Sequence, residues 1–70
     1  MERIRVKSSN ICSIGYDSNN SLLEIEFMNG SIYHFYGIHR NIFDGLMNAQ
    51  SHGRYFASMI KNEYRYRRIE

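Results

Sequence analysis

The chain of 70 residues has no proline, no tryptophan and a single cysteine. Nor does any apolar run approach the ~20 residues of a membrane span, so no membrane partner is expected. One cysteine excludes an internal disulfide and a paired-cysteine zinc site, and the core has to come from packing alone. The Met1-Glu2-Arg3-Ile4-Arg5 start lacks the hydrophobic stretch of a signal peptide, so a cytoplasmic location is expected. Charge of one sign is scarce: the formal net charge is +2, too small alone to imply nucleic acid. The missing proline, with 14% aromatic residues, argues for a folded globule over a disordered or low-complexity chain. At this length one domain is expected. It buries only roughly 60% of the surface its unfolded chain exposes, which argues against a deep internal cleft.

What the chain does have is a strong period of two from Leu22 to Tyr36. Leu22-Leu23-Glu24-Ile25-Glu26-Phe27 alternates, Met28-Asn29-Gly30 interrupts, and Ser31-Ile32-Tyr33-His34-Phe35-Tyr36 resumes with β-branched and aromatic residues. A two-residue Asn-Gly loop would set Glu24 and Glu26 against Phe35 and Tyr33. A three-residue loop with Gly30 at positive φ instead gathers Leu23, Ile25, Phe27, Tyr33 and Phe35 on one face, and this register is predicted. The outer face then carries Glu24, Glu26, Met28, Ile32, His34 and Tyr36.

Around this hairpin, Ile4 and Val6 alternate with Arg3, Arg5 and Lys7, as in a half-buried edge strand. Ile11–Tyr16 reads as a second strand, with Gly15 marking a bulge or a close approach, and Asp17-Ser18-Asn19-Asn20 as a turn. After Gly37 the period becomes helical. Asn41 is a candidate cap for a helix with Ile42, Phe43, Leu46, Met47 and Ala49 as its stripe, and Asp44 lies near its positive end. Gly45 weakens that helix by up to ~1 kcal/mol relative to alanine. Ser51 is a second cap, before Tyr55, Phe56, Met59, Ile60 and Tyr64 at helical spacing. Tyr64–Ile69 ends the chain as a final short strand or an extended tail. The expected fold is α+β: an antiparallel three- to four-stranded β-meander with two short α-helices packed on one face.

Several groups together resemble a known family: Ser8-Ser9-Asn10-Ile11, Ile14-Gly15-Tyr16-Asp17, Leu23-x-Ile25-x-Phe27, Asn29-Gly30, Tyr33-x-Phe35, Ala49-x-Ser51-x-Gly53-x-Tyr55-Phe56, Ile60 and Tyr64-x-Tyr66-x-Arg68-Ile69. The chain resembles the KTSC domain, a module named from the C-terminus of some lysyl-tRNA synthetases and found also in short stand-alone bacterial and phage proteins. The resemblance covers residues 1–70 almost throughout and implies the fold just derived, with RNA binding suggested by the synthetase context. Departures from the family pattern are Phe35 for a second tyrosine, His39 and Arg65 for prolines, and Ala57 for an asparagine. The missing amide at Ala57 weakens any claim that this position binds a ligand in every member.

The charge that is present is unevenly distributed. Arg54, Lys61, Arg65, Arg67 and Arg68 crowd the C-terminal region, interleaved with Tyr55, Tyr64 and Tyr66. Single-stranded RNA is held by cations along its backbone and by aromatic faces that stack its bases, so these residues are the expected RNA or tRNA site, with binding that falls steeply with salt. The competing reading makes the tyrosines packing residues and the arginines a solvated face. A second function follows from the outer hairpin face. Met28, Ile32, His34 and Tyr36 suit a protein partner or self-association, because Glu24 and Glu26 repel phosphates.

Catalytic and metal chemistry find little footing. His34, His39 and His52 lack ligand-like spacing, Cys12 reads as a packed strand residue, and no metal or cofactor is expected. Ser51-His52-Gly53-Arg54 is a short phosphate-binding candidate or a plain capping turn. The expectation is a small non-enzymatic interaction module.

Overall fold

The alternation of Leu22–Tyr36 folds as predicted. In the computed structural model, which describes residues 1–70, β3 (Leu22–Phe27) pairs antiparallel with β4 (Ile32–Tyr36). Leu23 lies opposite Phe35 and Ile25 opposite Tyr33. Phe27 N–H donates to the Ser31 carbonyl at 2.9 Å, which closes the three-residue loop, and Gly30 takes φ 92°, where a side chain would be strained.

β1 (Arg3–Arg5) and β2 (Ile11–Asp17) lie on one side of this hairpin, and β5 (Tyr66–Arg68) lies on the other. The five-stranded antiparallel sheet has order β1-β2-β3-β4-β5, one strand more than the sequence expectation. The closing Tyr-Arg alternation pairs with β4, and the pairing runs on to the last residue: Ile32 N–H donates to the Glu70 carbonyl at 3.0 Å. The bulge in β2 sits at Cys12, between Ile11 and Ser13. Gly15 is instead a close approach, since a Cβ there would lie 2.7 Å from the Glu2 carbonyl oxygen.

Helix α1 (Arg40–Asn48) and helix α2 (His52–Tyr55), the latter continuing into a π-helical stretch over Phe56–Ile60, cover one face of the sheet. Leu46, Phe56 and Ile60 meet Ile14, Leu23, Ile25 and Phe35 in a single core. Tyr16 fastens α1 to the sheet by stacking on Phe43 at 4.6 Å and donating to the Ile38 carbonyl at 2.6 Å. Helix α1 is capped by His39 rather than Asn41, with no side-chain capping bond. Ile38, fully buried and bonded to the Ser21 carbonyl, anchors the chain at the point from which the helix must start. Asp44 pairs with Arg40 at 3.3 Å in a solvated i,i+4 contact of small energetic weight. Ser51 does cap α2, accepting from the Arg54 N–H at 3.2 Å.

The helices do not reach either end of the sheet face. Toward β1, Ile4 remains 58% exposed, so this edge strand is solvated instead of half-buried, and the inward contact is left to Val6. Toward the β3–β4 turn, Phe27 and Tyr33 are only partly buried, and a groove opens above them.

Candidate functional site

The floor of this groove is aromatic because β3, β4, β5 and the π-helical stretch each contribute a ring from an inward-facing position. Phe56 packs edge-on against Phe27 at 5.4 Å and Phe35 at 5.3 Å. Tyr66, still 61% exposed, lies over Tyr33 at 5.9 Å and Phe35 at 6.0 Å. The space enclosed is about 510 Å³, shallow and open to solvent as expected for so small a domain. Polar groups rim it: Asn10 from the β1–β2 bend, Asn29 and Ser31 from the hairpin turn, and Lys61 and Asn62 from the helix exit. The exit geometry puts the last two there. The π-helical stretch closes with the Lys61 N–H donating to the Phe56 carbonyl, after which Lys61 is extended and Asn62 is left-handed at φ 69°.

The residues expected to bind RNA are not one patch. Lys61 and Tyr66 line the groove together, and Arg68 shares the groove-side face of β5 beside Tyr33. Tyr55 and Tyr64 are partly buried against the core, the Tyr55 ring lying over Gly45 of α1. Arg65 and Arg67 lie on the opposite sheet face, where Arg65 stacks 5.9 Å from the Tyr36 ring and Arg67 neighbours His34. Arg54 is exposed on α2. None of these cations is paired with a side-chain carboxylate, although Arg68 Nε donates to the main-chain oxygen of Glu70 at 3.1 Å.

That opposite face is bare of helices, and its two glutamates are both bonded. Arg3 Nη1 donates to Glu24 Oε2 at 2.6 Å, and His34 Nε2 meets Glu24 Oε1 at 2.7 Å. Ser13 Oγ accepts from Arg3 Nε at 2.9 Å and donates to Glu26 at 2.8 Å. Burial pushes the Glu24 carboxyl up, but the bonds from His34 and Arg3 more than offset this and hold it below the ordinary glutamate range. The Ser13 hydroxyl, with the Cys12 thiol, likewise holds Glu26 down. Of the residues proposed for a protein contact, Ile32, His34 and Tyr36 share this face, each half-buried now that β5 lies beside β4. Met28 does not join them; it belongs to the turn and lines the groove.

The remaining candidates are spent locally. His52 Nδ1 donates to the Leu46 carbonyl at 2.8 Å, joining the two helices, and His39 is an exposed cap, so the three histidines lie apart. No three His, Cys, Asp or Glu side chains converge as a metal would need. Ser51–Arg54 is a capping turn. Its Ser51 takes the Arg54 and Tyr55 N–H groups, and Gly53 packs under the Asn10 amide. No helix is long and apolar enough to cross a membrane.

Missing from the sequence reading were Asn10, Asn29 and Asn62 as a group. Each is ordinary turn chemistry where it stands, and only the folded chain brings positions 10, 29 and 62 to one rim.

Comparison with known proteins agrees with this architecture. A KTSC domain protein of Yersinia pestis has a solved structure that superposes with a TM-score of 0.93 at 40% identity, over 99% of this chain and 97% of that one. An uncharacterised protein of Stutzerimonas stutzeri is 37% identical over the full length of both chains. The lysine–tRNA ligase of Trichormus variabilis is 30% identical over 66 residues, 94% of this chain but 12% of the ligase. The family model for the KTSC domain matches residues 7–64. The chain therefore belongs to the KTSC domain family.

Proposed function

We propose that this domain is a non-enzymatic RNA-binding module that seats an unpaired base of RNA or tRNA in the aromatic groove. The observation that carries the reading is Tyr66, a largely exposed ring held over Tyr33 and Phe35 with the Lys61 ammonium on the same rim. An exposed aromatic ring beside a cation is what a stacked base and its phosphate require. The similarity to a segment of lysine–tRNA ligases supports tRNA as the partner class, which would give the domain a cytoplasmic role. Arg68 extends the cationic side of the groove, whereas Arg65 and Arg67 lie on the opposite sheet face, away from it. The groove rim has amides and an ammonium but no paired nucleophile and base, which favours binding over catalysis.

The test is fluorescence anisotropy with short labelled single-stranded RNAs and a tRNA at low salt. Stacking contributes ~1–3 kcal/mol per base, so Tyr66→Ala should weaken binding by roughly five-fold to a hundred-fold. An unchanged urea midpoint would show that the variant still folds. Absence of binding, or an indifferent Tyr66→Ala, would overturn the reading. A dimer in light scattering that Tyr36→Lys dissociates would favour a protein contact on the outer hairpin face instead.

A further inference from the structure

Two amides on the rim of the groove, those of Asn10 and Asn29, are held so as to donate hydrogen bonds. Asn29 Oδ1 accepts from both the N–H and the hydroxyl of Ser31, at 3.0 and 2.7 Å, so its amide NH₂ is the part left for a ligand. Asn10 is fixed in the same sense. The Ser8 hydroxyl accepts from the Asn10 and Ile11 N–H groups, which leaves its proton for Asn10 Oδ1 at 3.1 Å. Three main-chain carbonyls nearby already accept a bond: that of Asn10 from Met28 N–H, that of Phe27 from Gly30 N–H, and that of Ser31 from Phe27 N–H. Lys61 adds a group that only donates.

A flat ligand stacked on this floor therefore meets donors from two sides and gains most if its edge carries acceptors. On this basis, and resting on the base-binding reading above, we infer that the groove selects a base with exocyclic carbonyl oxygens, uracil being the clearest case, over adenine. Uracil offers two such oxygens. Adenine has none: its amino group meets one amide donor to donor, and only its ring nitrogens can accept, so one of the two amides is left unpaired in a partly desolvated site. Cytosine, with one carbonyl and one amino group, falls between them.

Labelled oligonucleotides of about eight uridines, cytidines or adenosines, a length suited to one small binding fold, provide the test. The wild-type chain should bind oligo(U) at least about tenfold more tightly than oligo(A), the discrimination expected of well-placed polar contacts to a base edge. Asn29→Asp and Asn10→Asp keep the acceptor that Ser31 and Ser8 need, so the turns persist, but they remove the NH₂ donors. Added negative charge weakens both ligands alike, so the ratio is the readout. It should fall to within about threefold in the double variant. Equal binding of oligo(U) and oligo(A) by the wild type, or a ratio that survives both substitutions, would overturn the carbonyl-edge inference while leaving base binding intact. No binding to any oligonucleotide would overturn base binding itself.

Discussion

Gly45 is the residue at which helix propensity and packing disagree. In an isolated helix, alanine would be better by about 1 kcal/mol. In the folded chain a Cβ at this position would run into the Tyr55 hydroxyl and ring, which cross α1 at that point. Gly45→Ala should therefore destabilise the domain by about 1–3 kcal/mol, the cost of overpacking a fitted contact, despite its propensity gain. Urea denaturation measures it, and Gly45→Ala combined with Tyr55→Leu should recover part of the loss. This conflict explains what was legible at residue scale. The sequence marks Gly45 as a weak point in the stripe Ile42, Phe43, Leu46, Met47, but nothing local says that a ring ten residues later needs the space. Gly30 was legible because the need arises within the hairpin itself: only the register with a left-handed Gly30 puts all the apolar side chains on one face.

Among the elements, β1, β3 and β4 are joined on the bare face by one carboxylate. Glu24 bonds Arg3 of β1 and His34 of β4, and its side chain is only 13% exposed. Its pKa lies below the ordinary value, as do those of Glu26 and of Asp17, the last held by the Asn20 amide in the β2–β3 turn. A depressed carboxylate contributes stability that is complete above its unfolded value, about 4.3 for glutamate, and lost as pH falls through the folded value. The urea midpoint should therefore be flat from neutrality to about pH 5 and drop in more acid solution. Glu24→Gln should lower the unfolding free energy by about 1–2 kcal/mol at neutral pH and make the acid drop shallower. Elements with one buried and one wet face were readable, which is why β3, β4 and the α1 stripe fall where alternation and helical spacing put them, while β2, buried on both faces, was readable from its apolar run. The three-residue β1 and β5 were less so. Ile4 looks inward by pattern but stays largely exposed, and the Tyr-Arg alternation of β5 fits a strand or a tail until β4 pairs with it.

For the molecule as a whole, small net charge and dispersed cations set how binding should respond to salt. Grouped late cations would give the steep dependence anticipated from the sequence, but the fold divides them between the two faces of the sheet and α2. With Lys61 and Arg68 nearest the groove, about two phosphates are neutralised. The slope of log K against log salt for a single strand should then be shallow, roughly −1 to −2. Titration of oligo(U) across salt measures it, and a slope steeper than about −4 would mean that Arg65, Arg67 and Arg54 take part as well. The site was thus half legible. Lys61 and Tyr66 stand out by type in a basic, aromatic stretch, whereas Asn10 and Asn29 gain their meaning from loops that meet only after the sheet has formed.

The ring most exposed to a ligand stands on the strand with least to hold it. β5 is short, lies at an edge, and borrows its pairing from β4 alone. Whatever rests on Tyr66 leans on this three-residue edge strand, so its residence time is bounded by how often the strand parts from β4. Occupancy should in turn slow the exchange of the Ile69 and Glu70 amide hydrogens with solvent.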